Sequence, residues 1–207
     1  MIDLDAADLS AEQTYKLMTG TVTPRPIAWV STLNASGSVN LAPFSCYTYI
    51  SSDPPLVVIA IGARYGFKDT LSNARRVGEF TINTVHEELA RPMVETSRKY
   101  PADMSEATDL DIPLSPGLKV KVPRVTAALI SLECVVHRVV EVGDAHHHNL
   151  LMGRVICFRL SEKVWAGDRI DMTAFRALGR LGGPLYVRPG EIERIEPTKD
   201  ERLASRP

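Results

Sequence analysis

Five stretches of the 207-residue sequence carry side chains whose types and spacing suit binding chemistry. In Thr23-Pro24-Arg25-Pro26-Ile27-Ala28-Trp29-Val30-Ser31-Thr32, two prolines stiffen the approach to an apolar run and hold Arg25 between them. Ser31 and Thr32 put hydroxyls at the end of that run, where they suit a polyol chain or a phosphate. Polar residues closing off a strand end are the commoner explanation. In Asn40-Leu41-Ala42-Pro43-Phe44-Ser45, the proline offers no N–H to a strand ladder. An interrupted ladder frees neighbouring backbone groups to read the polar edges of a flat heteroaromatic ring. An edge strand or a bulge is the competing reading.

Gly62-Ala63-Arg64-Tyr65-Gly66-Phe67-Lys68-Asp69-Thr70 lacks a lysine directly after a glycine, which excludes the phosphate loop GxxxxGK[ST]. Lys68 and Thr70 still stand where a helical pattern begins. Free N–H groups and the helix dipole favour an anion there, and lysine adds a full charge. Asp69 reads as the helix cap. His146-His147-His148-Asn149 forms no metal site, because adjacent strand residues point to opposite faces. A hairpin turn with one histidine toward a ligand is the simpler reading. Gly179-Arg180-Leu181-Gly182-Gly183-Pro184-Leu185-Tyr186 allows close backbone approach, with Arg180 and Tyr186 projecting from it. Its spacing is not GxGxxG and no strand-then-helix context surrounds it, which excludes a Rossmann fold. GxSxG, HExxH and a defensible carboxylate pair are missing as well.

The elements that must position these stretches are mainly strands. Ser10-Ala11-Glu12-Gln13 has the form of a capping box, predicting a helix to about Met18. Residues 27–33 read as a strand, Asn34-Ala35-Ser36-Gly37 as a hairpin turn, and 39–50 as the return. After Asp53-Pro54-Pro55, residues 56–61 read as a strand buried on both faces. Residues 69–77 form a helix stopped by Gly78, and 80–85 alternate as a half-buried strand. A helix over 86–97 starts late or kinks at Pro92. Residues 98–123, with four prolines, read as a functional flap, and strands follow over 127–142 and 150–160. Sequential strands with few helices between them predict a mainly β chain, an antiparallel barrel with helices packed outside.

Twenty-four Lys+Arg against 25 Asp+Glu leave a net charge of −1, without the broad basic surface of a nucleic-acid binder. Cys46, Cys134 and Cys157 are scattered and odd in number, as expected of reduced thiols in a cytoplasmic protein. The longest apolar run, Leu56 to Ile61, is too short to cross a bilayer, and the acidic N-terminus lacks a signal-peptide pattern.

Taken in order, TPRPIAWVST, NLAPFS followed by SSDPPLVV, KDT before a helix, and GRLGGPLY resemble the flavin reductase-like family of FMN-binding split barrels, over roughly Thr14 to Tyr186. The resemblance implies a six-stranded antiparallel Greek-key split barrel with peripheral helices. It also implies a single domain spanning 1–207, with an extension over 1–13 and a tail over 187–207. It implies FMN, or FAD in its place, bound near the interface of a homodimer, with NAD(P)H as co-substrate and an oxygenase as a partner for reduced flavin. Ser31 and Thr32 would contact the ribityl chain, and Ala42, Pro43 and Ser45 the isoalloxazine edge. Ser51, Lys68 and Thr70 would take the phosphate end. Arg25, Val30, Phe44, Asp69 and Arg180 complete the expected cofactor-binding set. His148 and Tyr186 fall near the flavin face or the nicotinamide as the candidate catalytic residues. No metal, nucleic acid or membrane is implied. A flavin-binding carrier, sensor or electron-transfer protein without turnover is the alternative.

Overall fold

The computed structural model describes residues 1–62, 69–101, 104–144 and 148–196. Helix α1 (Ala11–Thr21) opens with the capping box, the Gln13 N–H reaching Ser10 Oγ at 3.3 Å and the Ser10 N–H reaching Gln13 Oε1 at 2.9 Å. It runs past the expected end, through Gly20, because its last carbonyls are held by Arg25. Strands β1 (Ala28–Leu33) and β2 (Val39–Phe44) pair across the Asn34–Gly37 turn, where Gly37 supplies a φ of +86°. β3 (Tyr47–Ser52) and β4 (Pro55–Gly62) follow, then α2 (Asp69–Val77) and β5 (Glu79–Thr84). Gly78 stops α2 with φ +77°, its N–H bonded to the Ala74 carbonyl at 2.9 Å. Asp69, expected as the cap, is instead the first residue of the helix.

A 3-10 turn over Glu87–Leu89 leads into α3 (Ala90–Glu95). Pro92 lies in the first turn of α3, where its missing N–H has no helical partner to lose. Then come α4 (Glu106–Asp109), β6 (Leu114–Ser115), β7 (Arg124–Val125), β8 (Ile130–Val142) and β9 (His148–Leu160). The chain closes with α5 (Met172–Phe175), β10 (Gly179–Arg180) and β11 (Tyr186–Val187).

The main sheet is antiparallel, in the order β2-β1-β5-β8-β9-β4-β3. Its two edge strands are consecutive in the chain, separated only by Ser45 and Cys46. The return strand expected over 39–50 is therefore one segment bent in the middle, pairing with β1 through its first half and with β4 through its second. That bend closes the sheet into a barrel. Counted as one strand, β2 and β3 bring the seven to the six expected of a split barrel.

Alternation along each strand sends every second side chain inside. Val30, Ile59, Ile61, Phe80, Ile82, Leu132 and Leu151 fill the interior, joined by Leu71 and Ala74 of α2. Gly153 of β9 lies under the Phe80 ring, and any Cβ added there would collide with it. Trp29 and Leu41 on the opposite faces of β1 and β2, with Ile27 just before β1, pack with Val85, Leu89 and Met93 in a second cluster. Trp29 is fully buried there and donates from Nε1 to Thr96 Oγ1 at 2.9 Å.

The segment expected as a flap over 98–123 is fastened to the barrel through its described residues from 104 on, and the fastening continues to Val125. Two carboxylates and an amide of the barrel fasten the backbone of this segment, and one carboxylate of the segment fastens the barrel. Glu133, fully buried, accepts the Leu118 and Lys119 N–H groups at 2.8 and 2.6 Å, and Glu79 accepts that of Lys121 at 2.8 Å. Asn83 Oδ1 accepts the Val125 N–H at 2.8 Å. In the other direction, Glu106 of α4 accepts the Leu41 N–H on the edge of β2 at 2.8 Å. Prolines remove periodicity from this segment, but its fastening comes from side chains elsewhere in the chain.

Candidate functional site

Pro43 does not interrupt the ladder as expected, because β2 keeps register with β1 through Pro43 and Phe44. Neighbouring residues of an antiparallel strand point their N–H groups to opposite sides. The Leu41 N–H points away from β1, to Glu106, so position 43 faces the same open edge and proline forfeits no bond there. The interruption falls two residues on, at Ser45 and Cys46, where the chain leaves β1 for β4. There the Cys46 carbonyl accepts the Ala60 N–H at 2.8 Å.

Two adjoining cavities open over this bend and share Thr19, Arg25, Ser45 and Cys46. The larger, about 500 Å³, has walls of Met18, Val22, Val58, Ala60 and Leu150 with hydroxyls of Thr19, Ser45 and Thr48 among them. The smaller, about 220 Å³, gathers Arg25, Pro43, Phe44, Ser45, Arg180 and Tyr186, six of the residues singled out from sequence. Tyr47, half-buried against the barrel interior, lines the larger one. Burial first, and the nearby Cys134 second, push its phenol up to about 12, so it stays a protonated donor at neutral pH.

Arg25 organises both cavities. It is 8% exposed and donates from Nη1 to the Thr19 and Val22 carbonyls at 2.6 and 2.7 Å, and from Nη2 to the Leu181 carbonyl at 3.0 Å. A cation on the last carbonyls of α1 complements the helix dipole as well as bonding its unpaired acceptors. The main chains of Arg25 and Arg180 exchange both of their hydrogen bonds, at 2.9 and 2.8 Å. Two stretches more than 150 positions apart thereby become one wall. Arg180 in turn donates to the Tyr186 hydroxyl and the Gly183 carbonyl, its guanidinium 4.4 Å from the centre of the Tyr186 ring.

Other expected residues stand elsewhere. Ser31 and Thr32 are both fully buried and, as successive residues of β1, project to opposite faces. Ser31 accepts from Asn83 Nδ2 at 2.9 Å on the outer face. Thr32 accepts from Asn40 and Asn73 at 3.1 and 3.3 Å, and Asn40 also donates to Thr70 at 2.9 Å. Thr32 and Thr70 do come together, but inside an amide network that fastens α2 to the β1–β2 hairpin. Val30 is a core residue, and Ala42 lies opposite it in register. Ser51 follows the register shift in β3 after Tyr49, half-buried. Asp69 is exposed. His148 pairs with Gly62, and a Cβ on that glycine would lie 3.1 Å from His148 Nε2, so the imidazole covers the Gly62 backbone. Lys68, His146 and His147 lie outside the described residues. Among the described residues, no group of three His, Cys, Asp or Glu is placed to hold a metal ion.

Sequence reasoning missed Thr19, Met18 and Cys46 as cavity residues. The first two sit on a helix read only as a scaffold. Cys46 carries no sequence signal of its own beyond a reduced thiol, although the Pro43–Ser45 signal ends beside it.

The chain matches the flavin reductase-like domain over residues 19–173. It belongs to the flavin reductase-like family. Nitrilotriacetate monooxygenase component B from Bacillus cereus superposes with a TM-score of 0.91 at 30% identity, covering 94% of this chain and 98% of that one. The 2-nitrobenzoate 2-nitroreductase of Pseudomonas fluorescens gives a TM-score of 0.87 at 33% identity, covering 95% and 96%. An NADH-dependent FAD reductase from Streptomyces globisporus is 28% identical over 159 residues, 77% of this chain and 74% of that protein. In this flavin reductase-like chain the larger of the two cavities has a lining that suits a flavin ring. The larger has the volume and apolar lining of a site for a planar ring system, with a few hydroxyls to orient it. Arg25, with its Nε buried and unpartnered, adds a positive charge at its edge.

Proposed function

We propose that this chain is an FMN-binding oxidoreductase that transfers hydride from NAD(P)H to flavin, in the cytoplasm, as one domain spanning the whole chain. The observation that carries the reading is the pair of cavities over the Ser45–Cys46 bend, apolar in one part and cationic in the other. When bound, the flavin supplies the hydride and electron chemistry. The chain supplies the seat. Met18, Val22, Val58 and Leu150 exclude water from the ring, and Thr19, Ser45 and the Tyr47 hydroxyl orient its polar edges. Lys68 and the first turn of α2, with Ser51, are proposed for the phosphate end, and His148 for the exposed ring face. FAD in place of FMN fits the same seat, as the name of the Streptomyces reductase says of that protein.

The oxygenase component named in the Bacillus cereus structure supports delivery of reduced flavin to a partner oxygenase. Tyr49 and Ile50 on β3 and Ile156 and Phe158 on β9 are large apolar side chains left exposed, which supports burial against a second copy of the chain. Among the described residues, no helix is long and apolar enough to cross a membrane. A second reading, direct reduction of a small bound acceptor, is favoured by the cationic cavity that adjoins the ring seat.

Anaerobic mixing of flavin-loaded protein with NADH and with NADPH tests the proposal. Loss of the oxidised flavin absorbance is expected with at least one. A preparation that takes up neither FMN nor FAD would remove the reading. Uptake without reduction would leave a carrier or electron-transfer protein.

A further inference from the structure

We propose that the 220 Å³ cavity is a subsite for a small aromatic acid, its carboxylate held by Arg180. Two guanidinium groups line this space, and among the described residues no aspartate or glutamate does. Arg25 spends its bonds on three neutral carbonyls, and Arg180 on a phenol and a carbonyl. Neither forms an ion pair among the described residues. Arg25 is buried and Arg180 half-buried, and a buried cation is costly unless an opposite charge compensates it. The Arg25 Nε, buried and without an acceptor, marks the unmet demand. Arg180 has five N–H donors, of which two are engaged among the described residues, and it lies over the Tyr186 ring. A planar fork with free donors matches a carboxylate.

The walls select for a ring. Tyr186, Phe44 and Tyr15 line the cavity, and its volume falls below the roughly 300–1,000 Å³ usual for larger ligands. A molecule of one ring fits; a dinucleotide does not. Through Thr19, Arg25, Ser45 and Cys46, the acid would touch the same bend that floors the larger cavity. Its conversion there rests on the flavin reading above, but its binding does not.

The full chain, with and without flavin, is titrated calorimetrically with benzoate and with benzamide, which share a shape but not a charge. Benzoate is expected to bind about ten-fold tighter or better, as a charge-assisted pair should, with the preference shrinking as salt is added. Arg180→Gln should bring the ratio near one, and Arg180→Lys should keep part of it. The ratio within one variant is insensitive to partial loss of folded protein. A ratio near one in the native chain, or one unchanged by Arg180→Gln, overturns the proposal. So does inorganic pyrophosphate binding through Arg180 more tightly than benzoate, which would assign the cavity to nucleotide phosphates. An Arg180-dependent preference for benzoate in protein that refuses flavin would uphold the subsite and remove the flavin reading. Flavin uptake without the preference would do the reverse.

Discussion

The strap over residues 104–125 and the wall around the cavities are secured by the same device with opposite signs. At the strap, Glu133, Glu79 and Glu106 accept backbone N–H groups that no strand satisfies. At the cavities, Arg25 and Arg180 donate to backbone carbonyls that no strand satisfies. Glu133 also has Arg159 Nη1 at 4.0 Å, a partial counter-charge, whereas among the described residues the two arginines have neutral acceptors only. A fold of net charge −1 thus sets two cations in one cavity wall while three of its acids bond backbone elsewhere. A balanced composition excludes a basic surface, not a basic pocket.

Removing each fastener tests whether the two regions differ as this implies. Arg25→Met deletes three charge-assisted bonds and uncouples α1 from the Leu181 loop, so a loss of about 3–5 kcal/mol in urea unfolding is expected. A loss below about 1 kcal/mol would mean that the wall stands without its cation. Glu133→Ala leaves two strap amides unbonded, and about 2–4 kcal/mol should go with faster amide exchange confined to residues near 118–125.

Glu106 gives the smallest and most discriminating effect. Burial raises the pKa of its carboxyl, only partly offset by the Leu41 N–H. The folded state therefore holds this proton more tightly than the unfolded one. Its contribution to stability is fullest below the ordinary glutamate value and declines as pH rises through the raised one. Glu106→Gln keeps an acceptor for Leu41 without that decline. Its stability relative to the native chain should thus increase from pH 4 to pH 7, by about 1 kcal/mol or less. Parallel pH profiles for the two proteins would show that burial does not penalise this carboxylate.

Much of the framework was legible because its signals are local. The capping box at Ser10 and Gln13, the stop at Gly78 and the β1–β2 turn each depend on residues within four positions of one another. Half of the cavity was legible for a related reason: proline and glycine around Arg25, Pro43 and Arg180 stand a few residues from where regular pairing begins or ends. Ser31 and Thr32 were misjudged as a pair, although strand alternation by itself sends them to opposite faces. The strap was misread because its anchors carry no local signature. Glu106 and Leu41 lie 65 positions apart, and Thr81 and Asn83 reach Val122 and Val125 across more than 40. Such pairings are decided by the topology of the barrel, and a window of sequence does not contain them.

The bend at Ser45–Cys46 belongs at once to both margins of the sheet and to the floor of both cavities. An occupant lying across it touches both margins of the sheet at once. Loading the cleft and keeping the cylinder shut are then linked thermodynamically, so each ligand that settles there also tightens the whole body around it.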